Sequence, residues 1–283
     1  MKQNDKPLPA FQKLVKGYLG FLTGTGKSGS TISSYKGDLG LLEAYLREKK
    51  KTFYSLSAKD FSTYQIWLEK QGLKINTRRR KVLSAKALVK YAVSRKKMKP
   101  SAVQYVKAPE RLERLPWVPL PADWVKILAT LPATSTLGLR NLLVTRLLGE
   151  TGLAVAELCE LRWENVQGEE IEAGGKKARK VKVSAETAAR LAEWRSKSEG
   201  KFLFPGFNRH GITSERMTPR GVELFFKTLS RNSGYKNLKP KTLRHFAIAS
   251  WLRENVAEGE IQRRLGVHPN YSLDAYRKHL ENR

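Results

Sequence analysis

Near the end of this 283-residue chain, the side chains able to do chemistry fall into a short series. It runs Lys241-Thr242-Leu243-Arg244-His245, then Leu265-Gly266-Val267-His268, then Asp274-Ala275-Tyr276. Arginine's planar fork donates to two oxygens at once and stays charged. A free phenol, with a pKa of about 10, attacks poorly unless its surroundings assist it. Other enzyme signatures are missing: the chain has no Walker P-loop, no G-x-G-x-x-G, no H-E-x-x-H and no G-x-S-x-G. The four histidines, His210, His245, His268 and His279, are too scattered along the sequence to mark a metal cage, and the carboxylates form no two-metal cluster. Neither a metal nor a cofactor is expected. Cys159, the only cysteine, rules out an internal disulfide and a cysteine-rich zinc site.

The charge balance narrows the partner. Lys and Arg number 54 against 26 Asp and Glu, a formal net charge of +28. A surplus of that size calls for a polyanion, with nucleic acid the first candidate and a generally basic surface the plain alternative. Hydrophobic residues at 40% and aromatic residues at 9% supply a real core, which argues against wholesale disorder. No apolar run approaches the roughly 18–20 residues of a membrane span, and the start of the chain lacks an apolar signal core. The expectation is a soluble, cytoplasmic, nucleoid-associated protein with no membrane partner.

The elements that must position these groups fall into two halves. The first 117 residues carry nearly half of the cations and under a third of the carboxylates. Pro109, the charged run Glu110-Arg111-Leu112-Glu113-Arg114, and Pro116, Pro119 and Pro121 block helix continuation and read as a linker. The expected division is a helical domain over 1–108, a linker over 109–121 and a second domain over 122–283. In the first, Ser30 or Thr31 caps a helix carrying Ile32, Tyr35, Leu39, Leu42 and Leu46 at helical spacing. A second helix runs from about Phe61 to Leu68. A third begins after Thr77, with Val82, Ala85, Val89 and Ala92 on one face and Arg78, Arg79, Arg80, Lys81, Lys86 and Lys90 on the others. Six cations without interleaved Asp or Glu repel one another, so this helix is expected to lie against a DNA backbone.

The second half mixes helices with a small hairpin. Leu142–Leu148 and Val155–Leu161 read as helices broken at Thr151-Gly152. Ile171–Val183 alternates around Gly174-Gly175, a hairpin whose turn and second strand carry Lys176, Lys177, Arg179, Lys180 and Lys182. Helices follow over Ala185–Trp194, Pro219–Leu229 and Leu243–Glu254.

Set in this order, the fragments resemble the tyrosine recombinase (phage integrase) family over nearly the whole chain. The helical first half is similar to the family's core-binding domain, and LERLPWVPL to its linker. TGLAVAELCELRWENV resembles the first catalytic box, TGLR-x-x-E-L. LKPKTLRHFAIASWL resembles the second, H/K-x-x-R, and LGVHPNYSLDAY resembles the end box, LGH followed nine residues later by tyrosine. The resemblance implies a mainly α protein: an N-terminal helical, SAM-like core-binding domain, then an α+β catalytic-type domain with a small β-hairpin or sheet. It implies a metal-free chemistry in which a tyrosine attacks a DNA phosphate and forms a 3′-phosphotyrosyl link. Two arginines hold the phosphate oxygens, a hairpin lysine protonates the leaving oxygen, and Glu157 keeps its place in the first box. On this chain Tyr276 falls at the nucleophile, Arg244 at the second arginine, Lys241 at the His/Lys position, and Lys176 or Lys177 at the hairpin lysine.

Two positions depart from the family. Ala154 stands where the first arginine belongs, and Val267 where the end-box histidine belongs, with His268 one place later. Alanine donates nothing to a phosphate. Only seven residues follow Tyr276, where relatives continue into a helix that docks on a neighbouring protomer, so subunit exchange is expected to be organised otherwise. The leading reading is a sequence-specific double-stranded DNA-binding protein in or around DNA recombination and integration, with cleavage and strand exchange lost or severely reduced. Its DNA contacts would be Arg78, Arg79, Arg80, Lys81, Lys86, Lys90 and Arg179, and its partners on DNA further copies of itself or an active recombinase. The alternatives are an active recombinase working through Tyr276, and an RNA-binding or structural basic protein.

Overall fold

The computed structural model describes residues 8–111, 115, 117–174, 178–208 and 211–281. The protein is mainly α-helical and divides into two compact units, 1–113 and 114–283.

The first unit is built on four helices: α1 (Pro9–Gly24), α2 (Gly29–Glu48), α3 (Ala58–Lys70) and α4 (Ile75–Ser94). Helix α1 was not anticipated, although Phe11, Leu14, Tyr18 and Leu22 recur at helical spacing and all four are buried. Helix α2 starts earlier than expected. Its cap is Ser28, whose hydroxyl accepts the Thr31 amide at 3.3 Å. Helix α3 opens with a capping box: the Asp60 carboxylate accepts the Ser57 amide at 2.9 Å, and the Ser57 hydroxyl accepts the Asp60 amide at 3.4 Å. The core between the helices is rich in aromatic rings, among them Phe53, Phe61, Tyr45 and Tyr64. The buried Tyr45 hydroxyl donates to the Asp60 carbonyl at 3.0 Å, satisfying the polar end of an otherwise apolar side chain.

The cation run on α4 is not the bare face that the sequence suggests. Carboxylates from other helices reach it. Asp38 of α2 is buried and accepts from Arg80 at 2.6 Å, Lys81 at 2.9 Å and Ser84 at 2.8 Å. Glu69 of α3 pairs with Arg78 at 2.8 Å. Lys81, expected among the DNA contacts, is itself buried against Asp38 and unavailable to solvent, because it falls on the inward side of the helix. Arg80 keeps half of its side chain exposed, and Lys90 is exposed.

The second unit opens with α5 (Pro121–Ala129), α6 (Thr136–Thr151) and α7 (Val155–Glu160). A three-stranded antiparallel sheet follows, β1 (Val166–Gln167), β2 (Glu170–Ala173) and β3 (Arg179–Lys182), in the order β1-β2-β3. Ile171 pairs with Val181 and Ala173 with Arg179, which turns Ile171, Ala173 and Val181 to the core. Residues 175–177 of the turn lie outside the described residues. Then come α8 (Ala185–Lys197), a second hairpin of β4 (Pro205–Asn208) and β5 (Gly211–Arg216), α9 (Pro219–Asn232), α10 (Pro240–Arg253), α11 (Glu258–Leu265) and α12 (Asp274–Glu281). Strand β1, the second hairpin and helices α5, α11 and α12 were not anticipated. Helix α6 is wrapped by α8 and α10, and it buries Leu143, Val144, Leu147 and Leu148 completely. A helix apolar on so many sides carries little periodic signal, which is why only its middle is legible in the sequence. No helix among the described residues is long and apolar enough to cross a membrane.

The Asp38 cluster sets a testable stability. Replacing Asp38 with Ala leaves Lys81 buried without a counter-charge, and breaking such a pair costs about 3 kcal/mol or more. Denaturant unfolding of Asp38→Ala is expected to show that loss, and Asp38→Leu combined with Lys81→Met to recover most of it. A loss of about 1 kcal/mol or less would place the cluster with ordinary surface pairs.

Candidate active site

The residues singled out in the sequence converge where five segments of the second unit meet: the α6–α7 turn, β3, α10, the loop after α11, and α12. Two glycines make the meeting possible. Gly152 ends α6 at φ +62°, a left-handed conformation that side-chain-bearing residues rarely adopt, and Gly266 ends α11 at φ +63°. A Cβ on Gly266 would lie 2.8 Å from an Arg179 guanidinium nitrogen, so glycine there also admits a charged group at close range.

The carboxylate of Glu157 is the hub. It accepts the backbone amide of Ala154 at 2.8 Å, which caps α7, and receives Arg179 through two nitrogens at 2.6 and 3.0 Å. Arg244 stands 3.8 Å away. Burial acts to raise the Glu157 pKa. The Arg179 hydrogen bonds, the Ala154 amide and the two guanidinium charges outweigh it and hold the carboxyl below its ordinary range. Arg244 donates to the carbonyls of Gly152 at 2.6 Å and Leu265 at 3.0 Å, tying the two glycine turns to α10. Burial lowers its pKa, opposed by Glu157.

Tyr276 lies on α12 and is only 3% exposed. Its phenol oxygen is 2.5 Å from Nδ1 of His245 and 3.4 Å from the Tyr271 hydroxyl. Burial, then Tyr271, pushes the phenol pKa far above its ordinary value, so the group is a neutral phenol rather than a phenolate. Burial, with Lys241 and Arg244 adding like charge, lowers His245 from 6.5 to about 4. The ring is therefore neutral at pH 7, and its Nε2 is buried without a hydrogen-bond partner among the described residues.

The structure brings together Tyr276, Arg244, Lys241 and Glu157, with Ala154 facing the same hub. Lys241 is exposed at the start of α10. Lys176 and Lys177 lie outside the described residues. Two expectations are corrected. Arg179 is not a DNA contact: it is 7% exposed, and its guanidinium is taken up by Glu157 and, at 2.6 Å, by the Arg264 carbonyl. Facing the core opposite Ala173, it follows the strand alternation of the buried set. His268 does not approach the phenol. It sits exposed in the loop after α11, where its Nδ1 accepts the Asn270 amide at 3.2 Å. The histidine that meets Tyr276 is His245, with Tyr271 beside it. Both were missed as site residues, although His245 follows Arg244 directly and Tyr271 is five residues from Tyr276. Arg162, the nearest spare arginine in sequence, turns away to Glu164 at 3.4 Å and the Phe202 ring.

Comparison with known proteins places this geometry in a lineage. Residues 120–283 match the phage integrase family, and residues 15–96 match the phage integrase N-terminal SAM-like domain. The chain is 28% identical over 284 residues to the tyrosine recombinase XerC of Xylella fastidiosa (strain M23), covering 95% of this chain and 92% of that protein. It is 27% identical to the tyrosine recombinase XerD of Listeria innocua serovar 6a, covering 94% of each. The crystal structure of a lambda integrase(75-356) dimer bound to a COC' core site has the same fold, with a TM-score of 0.73 at 14% identity over 96% of this chain and 95% of that one.

The neutral, buried His245 predicts a pH dependence. Its pKa is depressed in the folded state, so its contribution is complete above the ordinary value of 6.5 and is lost as pH falls toward about 4, because the unfolded chain takes up the proton first. With allowance for partial exposure, the loss is on the order of 2 kcal/mol. Denaturant unfolding between pH 7.5 and 4.5 is expected to show it, and His245→Phe to flatten that limb. Parallel curves for the two proteins would contradict the assignment.

Proposed function

The chain belongs to the phage integrase family, and on that premise we propose that it binds specific double-stranded DNA sites and acts in or regulates DNA recombination or integration, with cleavage and strand exchange lost or severely reduced. Ala154 carries this reading. It stands where the family has its first arginine, half-buried beside Glu157, and offers no donor for a phosphate oxygen. Two described arginines that could stand in are engaged elsewhere: Arg179 with Glu157 and the Arg264 carbonyl, and Arg162 with Glu164. By analogy with removal of an oxyanion donor or an arginine finger, loss of such a group costs on the order of 10²–10⁵ in rate.

The net charge of +28 supports DNA as the partner. In the first unit, α2 and α4 flank a cleft of about 580 Å³ lined by Thr31, Ser34, Asn76, Arg79 and Arg80, a mixture of donors suited to a duplex. In the second unit, Lys241 and Arg244 are the groups for a backbone phosphate. We assign residues 1–108 to DNA binding, 109–121 to a linker and 122–283 to the catalytic-type domain. Homologous subunits on the same DNA, copies of this chain or an active recombinase, are the partners that fit. The second reading, an active recombinase, is favoured by one observation: Tyr276 and Arg244 remain in one cluster.

A covalent-capture assay separates the two. Binding sites are first selected from random duplexes, then rebuilt as nicked suicide substrates and incubated with the protein. The wild-type protein is expected to leave no adduct on a denaturing gel, while Ala154→Arg gains one that Tyr276→Phe removes. A Tyr276-dependent adduct from the wild-type protein would overturn the inactive reading. Binding is expected to weaken steeply with salt as neutralised phosphates release counterions. A flat salt dependence would contradict DNA backbone contact.

A further inference from the structure

Away from this site, Arg140 on α6 presents a charge without a counter-charge. It is 7% exposed, yet no carboxylate among the described residues pairs with it. Among the described residues its side-chain hydrogen bonds run from Nε and Nη2 to the side-chain oxygen of the adjacent Asn141, at 3.2 and 2.9 Å, and its guanidinium lies over the Phe207 ring at 4.4 Å. Burial alone lowers its pKa, to about 10, with no neighbouring charge opposing the shift. Arg179, the other buried arginine described in this unit, has Glu157 within reach, and the less buried Arg146 has Glu150. A buried charge left uncompensated is costly, and an anion arriving beside it recovers part of that cost.

The space for such an anion is present. Arg140 lines a cleft of about 710 Å³ between α6, the β4–β5 hairpin and α9. The walls are apolar, with Leu137, Leu224, Phe225 and Phe207, and Leu137 and Leu224 are 43% and 51% exposed. The polar groups of the lining include hydroxyls of Thr213, Thr218 and Thr228. Of the charged neighbours, Glu215 makes no ion pair with Arg140, and Arg216 is engaged with Glu160. One guanidinium matches one carboxylate, and apolar walls suit a hydrocarbon better than a hydrated, doubly charged phosphate.

We propose that this cleft is a binding site for a carboxylate carried on an apolar stem, with Arg140 receiving the carboxylate and the leucine and phenylalanine side chains receiving the stem. A free carboxylic acid and an acidic residue beside an apolar one in a peptide share this chemistry. The site is independent of the DNA-binding reading.

Thermal-shift titration of the full chain tests it with hexanoate, hexanol and inorganic phosphate at matched ionic strength. Hexanoate is expected to raise Tm saturably, hexanol and phosphate much less. Arg140→Met is expected to fold with an unchanged or higher Tm, since an unpaired buried charge is gone, and to bind hexanoate at least about tenfold more weakly. Acetyl-Leu-Glu-Leu-amide, titrated in parallel, distinguishes the sources: tighter binding than hexanoate assigns the cleft to a peptide, weaker binding to a small acid. In the ¹⁵N-labelled wild-type protein, hexanoate should shift the Arg140 Nε and the Gly206 and Thr213 amides, a readout that needs no variant. Equal hexanoate responses in wild type and Arg140→Met, phosphate acting as strongly as hexanoate, or no shift at Arg140 would each overturn the proposal.

Discussion

One carboxylate organises the candidate site. Glu157 holds the Ala154 amide at the start of α7, the Arg179 guanidinium from β3 and, at longer range, Arg244 from α10. These elements are remote in sequence, and each brings a charge or a backbone dipole that would be expensive to bury alone. With Glu157 ionised, the three costs offset one another. The left-handed glycine at 266 follows from the same constraint, because a Cβ there would meet the Arg179 guanidinium, whereas at Gly152 it would meet Leu265 and Trp251. The hub is therefore a folding device as much as a chemical one, and its architecture stands without a side-chain donor at 154.

The first unit repeats this logic at Asp38. Two cations of α4 and a serine hydroxyl converge on one buried acid, so part of the positive charge that marks the helix in sequence is internal. A linear count of cations overstates the surface available to DNA. What is left unpaired at the surface, such as Lys90, is sparser, and it is mixed with hydroxyl and amide groups.

Local signals were legible, and partners across the chain were not. The alternation of Ile171, Ala173 and Val181 and the ordered motifs around Glu157, Arg244 and Tyr276 announce their elements within a few residues. The mixed helical and hairpin fold followed from them and from the family resemblance. Asp38 lies more than forty residues from the lysine it neutralises, and nothing in the spacing of α4 reveals that. Arg179 looked like one more cation in a basic hairpin, and only the strand register turns it inward. His245 lies thirty-one residues from Tyr276 in sequence, and the packing of α12 on α10 decides that this ring meets the phenol. Short elements such as α11 and α12, with two turns each, carry too few periods to stand out.

Tyr276 holds two positions at once. It fills the core between α10 and α12, and it is also the residue by which a member of this family would be judged competent. A side chain with a packing role stays under selection after its chemistry has gone, since removing the ring opens a cavity whatever happens to DNA. The presence of this tyrosine is then a poor diagnostic of activity across related genomes. A donor with no packing role, such as the family's arginine at the position of Ala154, would be the first to disappear and the better marker.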